Sequence, residues 1–139
     1  MYRRLPALDV NLTALRTNAQ VLCDVCAQNN IAVAGGIKFS DCDLQVANAY
    51  LEGGCAQLGV SRAKHLQALK KVFPDTETLL TRTPTRGDLE NCARYADLVS
   101  MFFDGQMLTT DHPRRFFGNN SFYTTAANRM SRHIFSMAV

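Results

Sequence analysis

The chain has 139 residues and a formal net charge of +3; 47% of its residues are apolar and 19% are charged. This length and balance suit one globular domain with a core and exclude a disordered chain. No apolar run approaches the roughly 20 residues that a membrane-spanning helix needs, so we expect no membrane partner. The amino-terminal residues lack a signal-peptide core, and the five cysteines are odd in number. The sequence therefore predicts reduced thiols and a cytoplasmic protein.

The positive charge lies entirely at the end of the chain. Residues 1–104 balance eleven Lys and Arg against eleven Asp and Glu, whereas residues 105–139 hold four Arg and one Asp. The four arginines are scattered, and no helix-turn-helix or base-stacking pattern accompanies them. We therefore expect no nucleic-acid partner.

Short apolar runs alternate with amphipathic helical patterns along the first three quarters of the chain. The runs predict strands at residues 8–12, 31–37, 56–60, 76–81 and 98–103. The intervening patterns predict four helices, with starts at Asn11 or Thr13, Asp41 or Asp43, Ser61, and Thr85 or Asp88. Such alternation predicts an α/β fold with a parallel sheet and right-handed crossovers.

The predicted sheet favours a barrel over an open doubly wound fold. A glycine-rich dinucleotide fingerprint is absent after the first predicted strand, where it would have to lie. A complete (β/α)8 barrel needs about 250 residues, so residues 1–104 are interpreted as the amino-terminal portion of a partial TIM-type barrel.

Residues 105–139 break this pattern. They contain no Glu, no Lys and one Leu, and residues 105–120 show neither a helical nor a strand period. One interpretation is an irregular tail that is out of frame or otherwise foreign to the fold. The other is a natural irregular tail that wraps the sheet.

One lysine stands out at the end of the second predicted strand. The apolar run at residues 31–37 leads directly to Lys38, at the edge where α/β folds bind ligands. A lysine against an apolar wall is more readily neutral and can form a Schiff base with a carbonyl compound. The alternative is a lysine that ends a strand and extends its ammonium into water.

Further candidates lie at the ends of the next two strands. Ser61, Arg62 and Arg82 occupy positions where they could meet a cofactor or a carboxylate. Alternatively, Ser61 caps a helix and both arginines are solvated.

Cys23-x-x-Cys26 has the spacing of a redox motif, but it falls inside a predicted helix and is interpreted as core packing. His65, His112 and His133 share no ligand spacing, so no metal site is predicted.

Several segments resemble the alanine racemase N-terminal-domain family, and most closely its predicted amino-acid racemases related to ornithine racemase. The similarity extends over residues 5–101 and rests on residues 8–19, 31–38, 46–62, 78–84 and 95–98. Its motifs are the lysine at residue 38, the Ser-Arg pair at residues 61–62 and the arginine at residue 82. Residues 35–40 differ from the Lys-Ala-Asn-Ala-Tyr run of alanine racemases proper, and Val60 stands where the subgroup usually has Asp.

The resemblance implies a fold-type III enzyme that uses pyridoxal 5′-phosphate (PLP), built as a barrel with a separate C-terminal β domain and usually dimeric. Lys38 would hold PLP and act as one of the two acid/base groups that racemise a small amino acid. Two alternatives remain. One is a non-catalytic PLP-binding protein of cofactor homeostasis, and the other is an inactive truncated product.

Overall fold

The computed structural model describes residues 7–103, 106–110 and 135–137, with side chains for residues 7–100. These residues form four helices and six strands, which in chain order are α1 (Leu12–Ala27), β1 (Val33–Gly36), α2 (Leu44–Glu52), β2 (Gln57–Val60), α3 (Lys64–Val72), β3 (Glu77–Leu80), α4 (Leu89–Tyr95), β4 (Leu98–Phe103), β5 (Gln106–Thr110) and β6 (Phe135–Met137). Among them no helix is long and apolar enough to cross a membrane.

The strands form one sheet in the order β5-β4-β3-β2-β1-β6. Strands β1 to β4 are parallel neighbours, and α2, α3 and α4 connect them in turn. The predicted α/β fold is therefore confirmed. Because β1 to β4 follow one another without a reversal of order, they are compatible with the β/α units of a partial barrel.

Side-chain caps fix the starts of three helical segments. Asn11 accepts a hydrogen bond from the backbone N–H of Ala14 at 3.0 Å, which opens α1. Asp43 does the same for α2, where its Oδ1 accepts from the N–H groups of Gln45 and Val46. Each cap satisfies N–H groups that have no partner inside the helix.

The start of α4 uses two of the predicted residues together. The side chains of Thr85 and Asp88 form a capping box around the short 3-10 helix at residues 86–88, which leads into α4. The cap predicted at Ser61 was wrong, since α3 begins at Lys64 without any side-chain cap.

The strand predicted at residues 8–12 is also absent from the structure. Residues 7–11 adopt neither strand nor helix, and Leu12 already belongs to α1. Leu8 is 70% exposed, so the apolar alternation in this segment does not reflect burial. The alternation was too short to distinguish a strand from the approach to a capped helix.

Two segments of the region predicted to be irregular are strands. Strand β5 pairs antiparallel with β4, and β6 pairs parallel with β1. The remainder of residues 105–139 lies outside the described residues. Whether this region is foreign to the fold, and hence the division at residue 104, stays a prediction.

Large apolar side chains fill the space between the helices and one face of the sheet. This core contains Val33, Ile37, Val46, Tyr50, Leu58, Val60, Leu66, Leu69, Leu80 and Val99. Burying these side chains contributes about 1.5–3 kcal/mol each before the cost of ordering the chain is subtracted. The core thus holds α2 and α3 against the sheet and fixes the positions at which the strands end.

We call the opposite side of the sheet the inner face. Because side chains alternate along a strand, the residues between the core positions belong to it. Ala34, Leu79 and Leu98 form a small separate apolar cluster there. Near the amino ends of the strands, Gln57 donates a 2.7 Å hydrogen bond to Glu77. The inner face is therefore more polar and carries smaller side chains than the helix-covered face.

Asp97 connects three elements at the amino end of the sheet. Its Oδ2 accepts the backbone N–H of Thr78 at 2.7 Å and forms an ion pair with Lys70 of α3 at 2.7 Å. Burial raises the pKa of Asp97, but the hydrogen bonds and the charge of Lys70 outweigh it, so that its pKa is lowered. A lowered carboxyl pKa stabilises the fold at pH values above the unfolded-state pKa of about 3.9.

We expect Asp97→Asn to destabilise the protein by about 1 kcal/mol at pH 7, because the side chain is 39% exposed and water screens its charge. Urea unfolding measures this loss. The difference from the wild type should shrink as the pH falls below about 3.9, where Asp97 itself becomes protonated. The control Glu90→Gln breaks an exposed pair with Arg94 within α4 and should cost less than about 0.5 kcal/mol. Equal losses in both variants would contradict the prediction.

Candidate functional site

The four predicted site residues follow three neighbouring strands. Lys38 lies just beyond β1, Ser61 and Arg62 follow β2, and Arg82 lies just beyond β3. Since these strands are parallel and adjacent, their carboxyl ends meet at one edge of the sheet. The fold therefore brings the predicted residues to a single edge.

Lys38 occupies a fixed backbone position. Ile37 before it is fully buried, and its N–H donates to the carbonyl of Gly59 on β2 at 2.9 Å. Lys38 then begins a 3-10 turn that ends at Ser40. The residue is exposed, and its ammonium makes no hydrogen bond or ion pair with the described residues. The apolar wall expected around this amine is therefore not provided by residues 7–100.

The loop after Lys38 is a tight turn that returns to the strand end. Asp41 and Cys42 both have positive φ, at 49° and 71°, and the N–H of Cys42 donates to the carbonyl of Ile37 at 3.3 Å. The hydroxyl of Ser40 donates to the same carbonyl. Positive φ is unfavourable for residues other than glycine. These hydrogen bonds help to hold the loop in that conformation.

Asp41 joins this loop to the one after β2. Its Oδ1 accepts a 2.6 Å hydrogen bond from Nη1 of Arg62 and lies 3.6 Å from Nε2 of His65. Arg62 and Asp41 are exposed, whereas the His65 side chain is only 14% exposed. Burial lowers the pKa of His65 below 6.5, while the charge of Asp41 raises it. The lowered pKa favours the neutral ring of His65, which can accept or donate a hydrogen bond.

Arg82 is held by contacts on the helix side of the sheet. Its Nε donates to the carbonyl of Ser61 at 2.5 Å, its Nη1 donates to Thr83, and its Nη2 pairs with Asp88 at 2.9 Å. Burial raises the pKa of Asp88, but hydrogen bonds from Thr85 and the charge of Arg82 bring it below its ordinary value. Arg82 thus fixes the loop after β2 against the start of α4.

The inner face beside Lys38 carries almost no side chains. Gly36 and Gly59 are paired in register on β1 and β2, in the last rows of the sheet before the loops. A Cβ added to Gly59 would lie 3.0 Å from Cγ2 of Thr81, so a larger residue would crowd this surface. The two glycines and Thr81 therefore form a flat patch, which we call the glycine patch.

Arg82 keeps the register of its strand, whereas Lys38 does not. Leu80 belongs to the core, which places Arg82 in the helix-side register and agrees with its contact to Asp88. Strand β1 ends at Gly36, and the backbone of Ile37, with φ of −104° and ψ of 22°, already turns into the 3-10 segment that begins at Lys38. Lys38 therefore lies at the same sheet edge as Arg82, in the turn that leaves β1.

Sequence reasoning missed the carboxylates that accompany the arginines. Asp41 and Asp88 were considered only as helix caps, and His65 was set aside because it has no metal-ligand spacing. The available signal was positional, because Asp41 follows Lys38 by three residues and loops at the carboxyl ends of adjacent parallel strands meet. No cluster of His, Cys, Asp and Glu within the described part of the chain could hold a metal ion.

Comparison with known proteins assigns no family to the chain. No family model matches it. A segment of 45 residues is 47% identical to putative ABC transporter ATP-binding proteins of Bacillus thuringiensis subsp. konkukian strain 97-27, Bacillus anthracis and Bacillus cereus strain ATCC 10987. The segment covers 32% of this chain and 8% of each of those proteins. The chain thus matches only a small fraction of these curated relatives, and the match does not bear on the resemblance to alanine racemases.

We expect Asp41→Asn to lower the pKa of His65 further, because the variant removes a negative charge that favours the imidazolium. Proton NMR titration of the His65 ring measures this change, and His65→Gln identifies the signal. In the wild type, the lowered pKa should make stability fall as the pH drops below about 6.5, where the unfolded chain takes up a proton first. An unchanged or raised pKa in Asp41→Asn would show that Asp41 does not act on His65.

Proposed function

We propose that this chain is part of a PLP-dependent amino-acid racemase, with Lys38 as the residue that holds the cofactor. The observation that carries the proposal is the position of Lys38 at the carboxyl end of β1, two residues after Gly36 of the glycine patch. This is the edge at which parallel α/β sheets bind ligands. The resemblance of residues 5–101 to the alanine racemase N-terminal-domain family supplies the cofactor and the reaction class.

The residues present fit PLP in two respects. Lys38 supplies a primary amine without a competing carboxylate among the described residues, which attachment to the aldehyde of PLP requires. Gly36 and Gly59 carry no side chains, which suits the close approach of a ring, and because both are buried the ring would have to displace what covers them. A Cβ at Gly59 would lie 3.0 Å from Cγ2 of Thr81, so a larger residue there would require the Thr81 side chain to move by a few tenths of an ångström.

The two arginines have different roles in this proposal. Arg62 is exposed and uses Nη1 for Asp41, so its other N–H groups remain for a substrate carboxylate or a phosphate. Arg82 is already bound through three nitrogens and serves to position the backbone of Ser61. We therefore propose that Arg82 is a positioning residue and that Arg62 is a binding residue.

When bound, PLP supplies an electron sink that makes the α-proton of an amino acid removable. Nζ of Lys38 would accept that proton on one face of the α-carbon or return it there. Racemisation also needs a group on the other face, and we assign that group to elements outside the described residues. Ser61 and Arg62 would orient the substrate against the sheet edge.

A second candidate function is reversible PLP binding without catalysis, as in proteins of cofactor homeostasis. The exposure of Lys38 favours it, because an attachment site open to water lets other amines displace the cofactor. ATP binding, for which the partly matching Bacillus proteins are named, is not proposed. The chain lacks the Gly-x-x-x-x-Gly-Lys-Ser/Thr sequence that cradles phosphates.

The partners proposed are a small amino acid and a second copy of the chain. The second copy is proposed on the resemblance alone, because inner-face residues such as Ala34, Leu79 and Ser100 are already buried within the chain. A cytoplasmic location is proposed because the described cysteines are all free thiols. These proposals rest on the same resemblance as the cofactor.

Borohydride reduction of the protein mixed with PLP should fix the cofactor on Lys38, because reduction makes the attachment to the amine permanent. Peptide mass spectrometry locates the modified lysine. Lys38→Ala should lose this label, whereas Lys64→Ala should keep it, since Lys64 is an exposed lysine at the start of α3. Labelling distributed equally between Lys38 and Lys64 would show that no specific site exists.

Transfer of deuterium from heavy water to the α-carbon of an amino acid separates the racemase from the binding protein. Under the proposal, protein loaded with PLP introduces deuterium at the α-carbon of the amino acid and brings its two enantiomers to equal amounts. Lys38→Ala should abolish both the exchange and the racemisation. Mass spectrometry and chiral chromatography measure the two effects. Specific labelling of Lys38 without exchange would support the binding protein and reject the racemase.

A further inference from the structure

Two thiols that are far apart in the sequence lie side by side in the fold. Sγ of Cys23, on α1, is 3.9 Å from Sγ of Cys55, in the turn between α2 and β2. A disulfide requires a sulfur separation of about 2.05 Å, so closing the gap needs a shift of about 2 Å. Side-chain rotation and small movements of α1 provide shifts of this size.

Close packing of backbone on backbone keeps the two thiols together. A Cβ at Gly53 would lie 2.6 Å from Cβ of Ala19, so α1 approaches this turn as closely as glycine allows. Gly54 has a φ of +91°, and a Cβ there would lie 3.4 Å from Cβ of Cys23. The turn that carries Cys55 is therefore held against the face of α1 that carries Cys23.

A cleft gives small molecules access to one of the two thiols. Cys23 is half-buried and lines a cavity of about 380 Å³ together with residues of α1 and of the turn, including Gln20, Asp24, Glu52 and Gly54. Cys55 is only 7% exposed. An oxidant entering this cleft therefore meets Cys23 first, and Cys55 is left to react with whatever Cys23 has formed.

We propose that Cys23 and Cys55 form a site of reversible disulfide modification, in which a low-molecular-weight disulfide such as oxidised glutathione links α1 to the turn before β2. This proposal is independent of PLP and of Lys38. The Cys23-x-x-Cys26 spacing suggested a different pair, but the structure provides a sulfur partner for Cys23 across the α1–α2 interface.

The reaction proceeds in two exchanges whose atoms balance. The thiolate of Cys23 attacks one sulfur of oxidised glutathione, the disulfide of glutathione breaks, and one glutathione leaves as a thiolate. The thiolate of Cys55 then attacks Sγ of Cys23, the mixed disulfide breaks, and the second glutathione leaves. The two cysteines lose two electrons and two protons, and oxidised glutathione gains them as two thiols.

Incubation of the full-length folded chain with oxidised glutathione, followed by alkylation and digestion, tests the proposal. A protease that cleaves before aspartate cuts at Asp24, Asp41 and Asp43. These cuts place four cysteines on different peptides, namely Cys23, Cys26, Cys42 and Cys55. Mass spectrometry without reduction should find the Cys23 peptide joined to the Cys55 peptide, and reduced glutathione should separate them.

Variants identify the pair that reacts. Cys26→Ser, one helical turn from Cys23, should still form the bridge, whereas Cys23→Ser and Cys23→Ala should each abolish it. Circular dichroism verifies that each variant is folded. A bridge from Cys23 to Cys26, bridges only between separate chains, or a Cys23–Cys55 bridge that appears only in urea would each overturn the proposal.

The pH dependence of the rate provides a second readout. Burial is the main reason why the pKa of Cys55 is raised to about 12, and it also raises that of Cys23. Only the thiolate attacks, so closure of the bridge should accelerate about tenfold for each pH unit between pH 7 and 9. A rate that levels off above about pH 8.5 would show that a thiol of ordinary pKa limits the reaction instead, and it would contradict closure by the buried Cys55.

Discussion

Burial of both faces of one short parallel sheet is the constraint on which the rest of the structure depends. Ile37, Leu58 and Leu80 are fully buried against the helices, whereas Ala34 and Leu79 are buried on the inner face. A shift of one residue in any strand would exchange the two faces and break the packing of the core against α2 and α3. The register therefore fixes where the strands end, and with them the sheet edge at which Lys38 lies.

Local signals in the sequence were sufficient to predict most of the parallel sheet. Runs of five to seven residues predicted β1 to β4, which are four to six residues long in the structure, and the run at residues 98–103 matched β4 in full. Asn11 and Asp43 were recognisable caps because Asn and Asp accept hydrogen bonds from the first free N–H groups of a helix. Such interactions join residues only two or three positions apart.

Features that depend on distant partners could not be predicted in the same way. Strand β5 exists because it pairs with β4, and its own sequence shows no clear period. The partner of Arg62 is Asp41, and that of Arg82 is the backbone of Ser61, each 21 residues away in the sequence. Cys23 has its sulfur partner 32 residues away, although Cys26 lies one turn along the same helix. Composition and periodicity contain no information about which side chains meet across elements.

The exposure of Nζ of Lys38 to water is the property that separates the two proposed functions. The backbone of Lys38 is fixed by the buried Ile37 and its bond to Gly59, but the residue itself is exposed. Attachment of an aldehyde requires an amine that PLP can reach and that attacks in its unprotonated form, and exposure leaves the amine of Lys38 open to PLP. Proton transfer at an α-carbon requires an amine that is unprotonated and shielded from solvent, because water protonates a free amine and screens its charges. The racemase therefore depends on what covers the inner face beside Lys38, whereas the binding protein does not.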